Sequence, residues 1–383
     1  MKALAVCFGL LLLAATPSLA ANITVRDWGT TQKGAAVQLY TLKGAKGLEA
    51  HITNFGGVIV DLLVPGRGGK KIDTMLGYDD FKSYERGGVY GAIIGRYVGR
   101  IGHGGSFPFE GRTVQLQKPN PNAKFVIHGG TAAFQKKLWH AEMVDGPEPS
   151  LILTVASPDG DGGYPGMLVT TVTYTVTRNN ELKLDYSAVS TGPSIANLTN
   201  HAYFALQGEG NGDISNQTLQ VFADRFLPQD ADNLVTGEIA RVDGTPFDFR
   251  KPVKLGPPMA SAHPQVTMRG GLDIAMLING KAGTLRPAAR LSDPSTGIAM
   301  EVLTTQPALQ LYSDNVGRPS AGKGGKSYGN HFSMSLETEG YLDAVNHPDF
   351  PSTEVRPGKP LHEITVFRFS QAKAAAQDAK KPL

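Results

Sequence analysis

Thr171-Val172-Thr173-Tyr174-Thr175-Val176-Thr177 alternates threonine with a larger apolar or aromatic residue at period two, as a strand with one buried face does. Leu182-Lys183-Leu184-Asp185-Tyr186 and Ile364-Thr365-Val366-Phe367-Arg368-Phe369 repeat the pattern. Forty-six glycines and twenty-five prolines break up these runs and supply the turns between them. Sustained helical periodicity is nearly absent, and only residues 79–86 read as a short turn of helix. Many short strands separated by turn signals predict an all-β sandwich or barrel in one large unit over residues 21–370. No internal repeat is present. The Ala- and Lys-rich stretch 371–383 reads as a solvated tail.

The chain has 383 residues, 41% of them hydrophobic, and so has enough apolar material for a large core. Residues 1–20 are not part of the fold. Lys2 gives a basic start, residues 4–15 an apolar run, and Ser18-Leu19-Ala20 a small-residue cleavage site. That run is too short for a bilayer core of about 30 Å, which takes about 20 residues. The expectation is an exported protein starting near Ala21, periplasmic or secreted, with no stable membrane association after cleavage. Cys7, the one cysteine, lies in this leader. The mature chain then has no disulfide, thiolate nucleophile or cysteine metal ligand. With 37 basic against 34 acidic residues, nothing favours nucleic acid or an anionic membrane as partner.

Three segments carry the candidate chemistry. In Phe332-Ser333-Met334-Ser335-Leu336-Glu337-Thr338-Glu339 the apolar residues share one strand face, and Ser333, Ser335, Glu337 and Glu339 share the other. Two carboxylates on one face raise each other's pKa, which suits a base. Leu309 and Leu311 likewise set Gln310 and Tyr312 on the opposite face, an amide and a phenol suited to sugar hydroxyls. His201, in Asn197-Leu198-Thr199-Asn200-His201-Ala202-Tyr203-Phe204, and His128, before Gly129-Gly130, are titratable near neutrality and could serve as acids. The two glycines would let a ligand come close. No His-Glu-x-x-His pattern is present and the histidines are scattered, so no metal site is expected. Asp159-Gly160-Asp161-Gly162-Gly163 is similar to a calcium loop but has glycine where a ligand is needed, and reads as a tight turn. Gly95-Arg96-Tyr97-Val98-Gly99-Arg100 lacks the spacing of a phosphate loop. No nucleophile elbow supports a serine hydrolase.

Taken together and in order, these segments resemble the galactose mutarotases (aldose 1-epimerases) over residues 29–369. The markers are Ile94-Gly95-Arg96-Tyr97-Val98-Gly99-Arg100-Ile101, His128-Gly129-Gly130, the stretch 157–166, Asn197 through Phe204, Thr245-Pro246-Phe247-Asp248-Phe249-Arg250, residues 304–312, Leu336-Glu337-Thr338, the stretch 343–351 and Arg356-Pro357-Gly358. The resemblance implies a large antiparallel β-sandwich with a sugar in a cleft on one sheet. It implies Glu337 as general base and His201 as general acid, with Arg100, His128, Tyr203, Asp273 and Gln310 binding sugar hydroxyls or the ring oxygen. Glu337 would take the anomeric hydroxyl proton while His201 protonates the ring oxygen. The ring opens, the aldehyde end rotates, and the ring closes on its other face. No cofactor is expected, and the partner is a small-molecule sugar bound by a monomer or homodimer.

The chain departs from the family pattern at several points. Gly271-Leu272-Asp273-Ile274-Ala275-Met276 lacks the usual histidine and aromatic after the aspartate, which bears on hydroxyl selectivity near Asp273. Glu339 stands for a common glutamine and Gly99 for a common asparagine, while Lys124-Phe125-Val126 alters one cleft wall. Rival readings are an epimerase for a modified sugar such as a sugar phosphate, for which Arg100 alone is a poor clamp, and a non-catalytic carbohydrate-binding or lectin-like protein.

Overall fold

The stretch 171–177 falls almost wholly in the strand Leu168–Val176, where Leu168, Thr170, Val172, Tyr174 and Val176 are buried and the residues between them half-buried. The segments 182–186 and 364–369 lie inside the strands Glu181–Ser190 and Leu361–Gln371. These three strands are consecutive neighbours in an antiparallel sheet of nine. The computed structural model describes residues 22–317 and 319–372. The expected leader 1–20, Cys7 included, and the tail from 373 onward lie outside the described residues. Gln371, expected in the tail, instead closes its strand: it pairs with Ile298, and its amide donates to the Pro65 carbonyl at 2.7 Å.

Two five-stranded antiparallel sheets complete the frame. One runs in sequence order from Ile23–Thr30 to Lys71–Asp73, and the other has the order Ala240–Arg241, Ala223–Leu227, Asp273–Ile278, Ala308–Tyr312, Ser335–Glu339. Ile52 and Leu62 from the first, Leu153, Val172, Leu184 and Phe367 from the nine-stranded sheet, and Met276, Leu309 and Leu336 from the second all enter one continuous apolar core. The protein is therefore all-β, with sheets stacked through their apolar faces. Each such side chain contributes about 1.5–3 kcal/mol on full burial. The helix expected at 79–86 is Phe81–Glu85, whose first turn is capped by the Asp80 carboxylate accepting from the Ser83 amide at 2.9 Å. Among the described residues no helix is long and apolar enough to cross a membrane.

Two of the discounted motifs meet in one buried clamp. Arg96 is fully buried. Its guanidinium donates to the carbonyls of Ser157, Pro158, Pro165 and Gly166 at 2.5–3.0 Å. Those carbonyls flank the turn at Asp161–Gly163, so the acidic glycine-rich segment is a turn held by Arg96. Burial pulls the guanidinium down to about 10, against the opposing charge of Asp161, and leaves it cationic at neutral pH.

Candidate active site

The outer face of the second five-stranded sheet carries the site. Its last three strands set Asp273 opposite Tyr312, and Gln310 opposite both Ala275 and Glu337. Leu309, Leu311 and Leu336 turn into the core, so period-two alternation sends Gln310, Tyr312, Glu337 and Glu339 the other way. All four line one cavity of about 200 Å³, together with Asp273, Arg100, His128, His201 and Tyr203. The seven residues to which the family resemblance gives roles thus meet around a single cavity, with Tyr312 and Glu339 beside them.

His201 and Tyr203 arrive from a segment that follows the short pairing of Thr199–Asn200 with Ile93–Ile94. The His201 amide donates to the Ala92 carbonyl at 2.9 Å. Its ring stacks on Tyr203, with centroids 4.8 Å apart and planes 9° from parallel. Its Nε2 lies 3.5 Å from Glu337 Oε1, and its Nδ1 lies 3.5 Å from Ser335 Oγ. Arg100 pairs with Ile127 across a two-residue ladder and lies over the Phe125 ring at 5.3 Å. Its Nε is buried without a partner. His128 follows that ladder at φ 51°. The Gly99 amide donates to His128 Nδ1 at 3.3 Å, which puts the ring proton on Nε2. Asp273 opens its strand and accepts from the Gln310 amide at 2.5 Å.

Burial governs the charges. It pushes Glu337 well above the usual carboxylate range; Asp273 adds to this and Arg100 opposes it. Glu339 is pushed the same way by burial, then by Glu337 and Asp273. The expected repulsion between the two glutamates therefore acts on Glu339, second to desolvation, whereas Glu337 is raised by burial and Asp273 and not by Glu339. The expectation that either histidine titrates near neutrality is overturned. Burial lowers His201 to about 3, and burial, with His201 and Arg100 nearby, holds His128 well below its ordinary value.

Four further findings correct or extend the sequence reading. Gly129 does not open a path for a ligand; a Cβ there would strike the Gly95 carbonyl, so this glycine serves chain packing. Ile274, where the family has histidine, and Met276 are buried in the core, and Ala275 lies in a smaller apolar cluster; none of the three walls the cavity. Arg269 was missed: its charge acts on both Asp273 and Arg100, and it donates to the Asp230 carbonyl at 2.8 Å. Val89, Val98, Ile127 and Leu342, also missed, supply apolar wall. Only three-dimensional adjacency marks these residues, because each is an ordinary apolar or loop residue in sequence. Among the described residues no three His, Cys, Asp or Glu side chains converge as metal ligands do.

A desolvated acid–base pair ringed by amide, imidazole, guanidinium and phenol groups can bind a polyol and move a proton between two of its oxygens. Comparison with known proteins agrees. The family model for aldose 1-epimerase matches residues 38–368. Galactose mutarotase from Bos taurus is 38% identical over 356 residues, covering 92% of this chain and 99% of its own. Aldose 1-epimerase from Escherichia coli K12 is 31% identical, covering 88% and 96%. The crystal structure of galactose 1-epimerase from Lactobacillus acidophilus superposes with a TM-score of 0.81 at 25% identity, covering 92% of this chain and all of that one. The chain belongs to the aldose 1-epimerase family, carbohydrate epimerases that interconvert the anomers of a sugar.

Proposed function

We propose that this enzyme acts on free aldohexoses such as galactose or glucose, with Glu337 as general base and His201 as general acid. The observation that carries the assignment is the 3.5 Å approach of Glu337 Oε1 to His201 Nε2 inside a cavity otherwise lined by hydroxyl-binding groups. Glu337 removes the proton from the anomeric hydroxyl as His201 protonates the ring oxygen, so the C1–O5 bond breaks without a free charge entering the cavity. Rotation about C1–C2 and reversal of the two transfers give the other anomer. Arg100, which draws Glu337 toward its ionised form, favours the base role. The remaining binders Asp273, Gln310, His128 and Tyr203 fix the hydroxyls, so only C1 is free to turn. The relatives' names, galactose mutarotase and aldose 1-epimerase, support the choice of substrate.

Polarimetry on freshly dissolved α-galactose tests this reading. The protein should hasten decay to the unchanged final rotation. Glu337→Gln, folded by circular dichroism, should lose about 10²–10⁴-fold in kcat. Undiminished activity in that variant would remove Glu337 from the mechanism. Acceleration with a sugar phosphate but no free aldose would move the substrate to a modified sugar.

The leader at 1–20 supports export, to a periplasm or the medium. Mass spectrometry of the protein purified from its native cells should find an N-terminus near Ala21. An intact Met1 or Lys2 terminus would overturn export by this route.

A further inference from the structure

Three carboxyls, Asp273, Glu337 and Glu339, line the cavity with one cation, Arg100. Two of them have company. Asp273 accepts from Gln310, and Glu337 faces His201. Glu339 does not: it is 1% exposed and neither of its carboxyl oxygens has a partner. The residue opposite it in the ladder is Ala308, which has no polar group to offer. A carboxylate ionised in such a place would have lost its hydration and gained no donor, a cost of several kcal/mol. Protonated, it is one donor and one acceptor in the wall of the cavity a ligand would fill.

We propose that Glu339 is a specificity-determining residue of this cavity: it meets the sugar as an uncharged acid, donating to one hydroxyl and accepting from another. The inference rests on the sugar reading of the cavity and narrows it to neutral polyols. A uronate or sugar phosphate would bring an anion to three carboxyls, whereas a free aldose supplies the donors and acceptors that Glu339 lacks.

The charged and titratable groups around Glu339 set how binding responds to pH. Glu337 lies two residues away on its own strand. Tyr312 comes from the neighbouring strand, and Asp273 from the strand beyond, with Arg269 behind it. Arg100, His128 and His201 line the same cavity from other segments. Burial, Glu337 and Asp273 all oppose ionisation of Glu339. When alkaline pH forces that ionisation, the donor is lost and a further negative charge appears, so KM must rise.

Steady-state mutarotation and calorimetric binding of galactose and glucose, across pH, for wild type, Glu339→Gln and Glu339→Ala test the proposal. Glu339→Ala should raise KM about tenfold or more near neutrality, with a smaller change in kcat. Glu339→Gln, a neutral donor and acceptor of nearly the same shape, should recover most of that loss and remove the alkaline rise in KM. The proposal is overturned if Glu339→Gln is as damaging as Glu339→Ala, which would mean that the charge is needed. It is equally overturned if neither variant moves KM or the calorimetric Kd. Binding without catalysis in the wild type would sink the epimerase reading, yet the same calorimetric series would still decide the role of Glu339.

Discussion

His201 Nε2 stands 3.5 Å from Glu337 Oε1, and both side chains are almost wholly withdrawn from solvent. One proton serves the pair in either arrangement, as neutral acid with neutral imidazole or as carboxylate with imidazolium. The competent enzyme is the form with that single proton. A second proton must charge buried His201, which burial lowers to about 3, and losing the last one must ionise Glu337, which burial raises.

The pair therefore predicts a broad plateau. kcat/KM should stay level between about pH 5 and pH 7, because the two losses are macroscopic steps of the pair pushed apart by burial. An unperturbed histidine would instead halve the rate near about pH 6.5. A rate profile with an acid limb there would show that His201 titrates freely and would refute the one-proton description.

Gly99 and Leu342 form a second dependent pair. Gly99 sits at φ 72°, and a Cβ on it would run into Leu342 Cδ2. Gly99→Ala should cost about 2 kcal/mol or more, from left-handed strain plus overpacking. Adding Leu342→Ala should relieve the clash and leave the strain, giving a coupling of about 0.5–3 kcal/mol in a double-mutant cycle of urea melts. Strict additivity would mean the two residues do not meet in solution.

Lys323 holds the segment between the strands Ala308–Tyr312 and Ser335–Glu339 to the first five-stranded sheet. Its ammonium lies 2.7 Å from both Asp61 and Asp73 and also donates to the Val60 and Met75 carbonyls. Burial works against this charge, but Asp73 and Asp61 outweigh it. Lys323→Met leaves Asp73 without its cation and Asp61 with His51 alone, 2.7 Å away, and should cost about 3–5 kcal/mol in urea unfolding. Without the ammonium the carboxyls become harder to ionise in the fold, so the loss should grow as pH rises from about 5 to 8. A loss of the same size at both ends would assign the effect to packing alone.

How legible the molecule was in its sequence follows from what alternation can encode. Period two reports a strand and which of its side chains share a face, so Glu337 was readable beside Glu339 and Gln310 beside Tyr312, but not that their two strands adjoin. The convergence of His128, His201 and Arg100 on that surface was not readable from periodicity, since each is set by a two-residue ladder or a backbone bond to a distant segment. Resemblance to a family supplied those positions. It could not report that Ile274 faces the core, that Leu342 fills the space above Gly99, or that burial outranks repulsion in setting the glutamates. Desolvation depends on everything packed around a group, and no local pattern records it.

Glu337 should weaken the fold it serves. Its carboxyl is harder to deprotonate in the folded chain than in the unfolded one, because burial and Asp273 outweigh Arg100. A raised folded pKa contributes stability that is fully present below the unfolded value of about 4.3 and is lost as pH climbs through the folded value. Glutamine has the shape without the titration, so Glu337→Gln should melt with the wild type at about pH 4 and increasingly above it as pH approaches about 9. Scanning calorimetry at both ends, beside the kcat of the same variant, separates two outcomes. A variant that is more stable at alkaline pH and nearly inactive marks Glu337 as a group kept for chemistry at a cost in stability. Equal melting temperatures across the range would show that Glu337 is ionised as readily in the fold as out of it, which would contradict its burial.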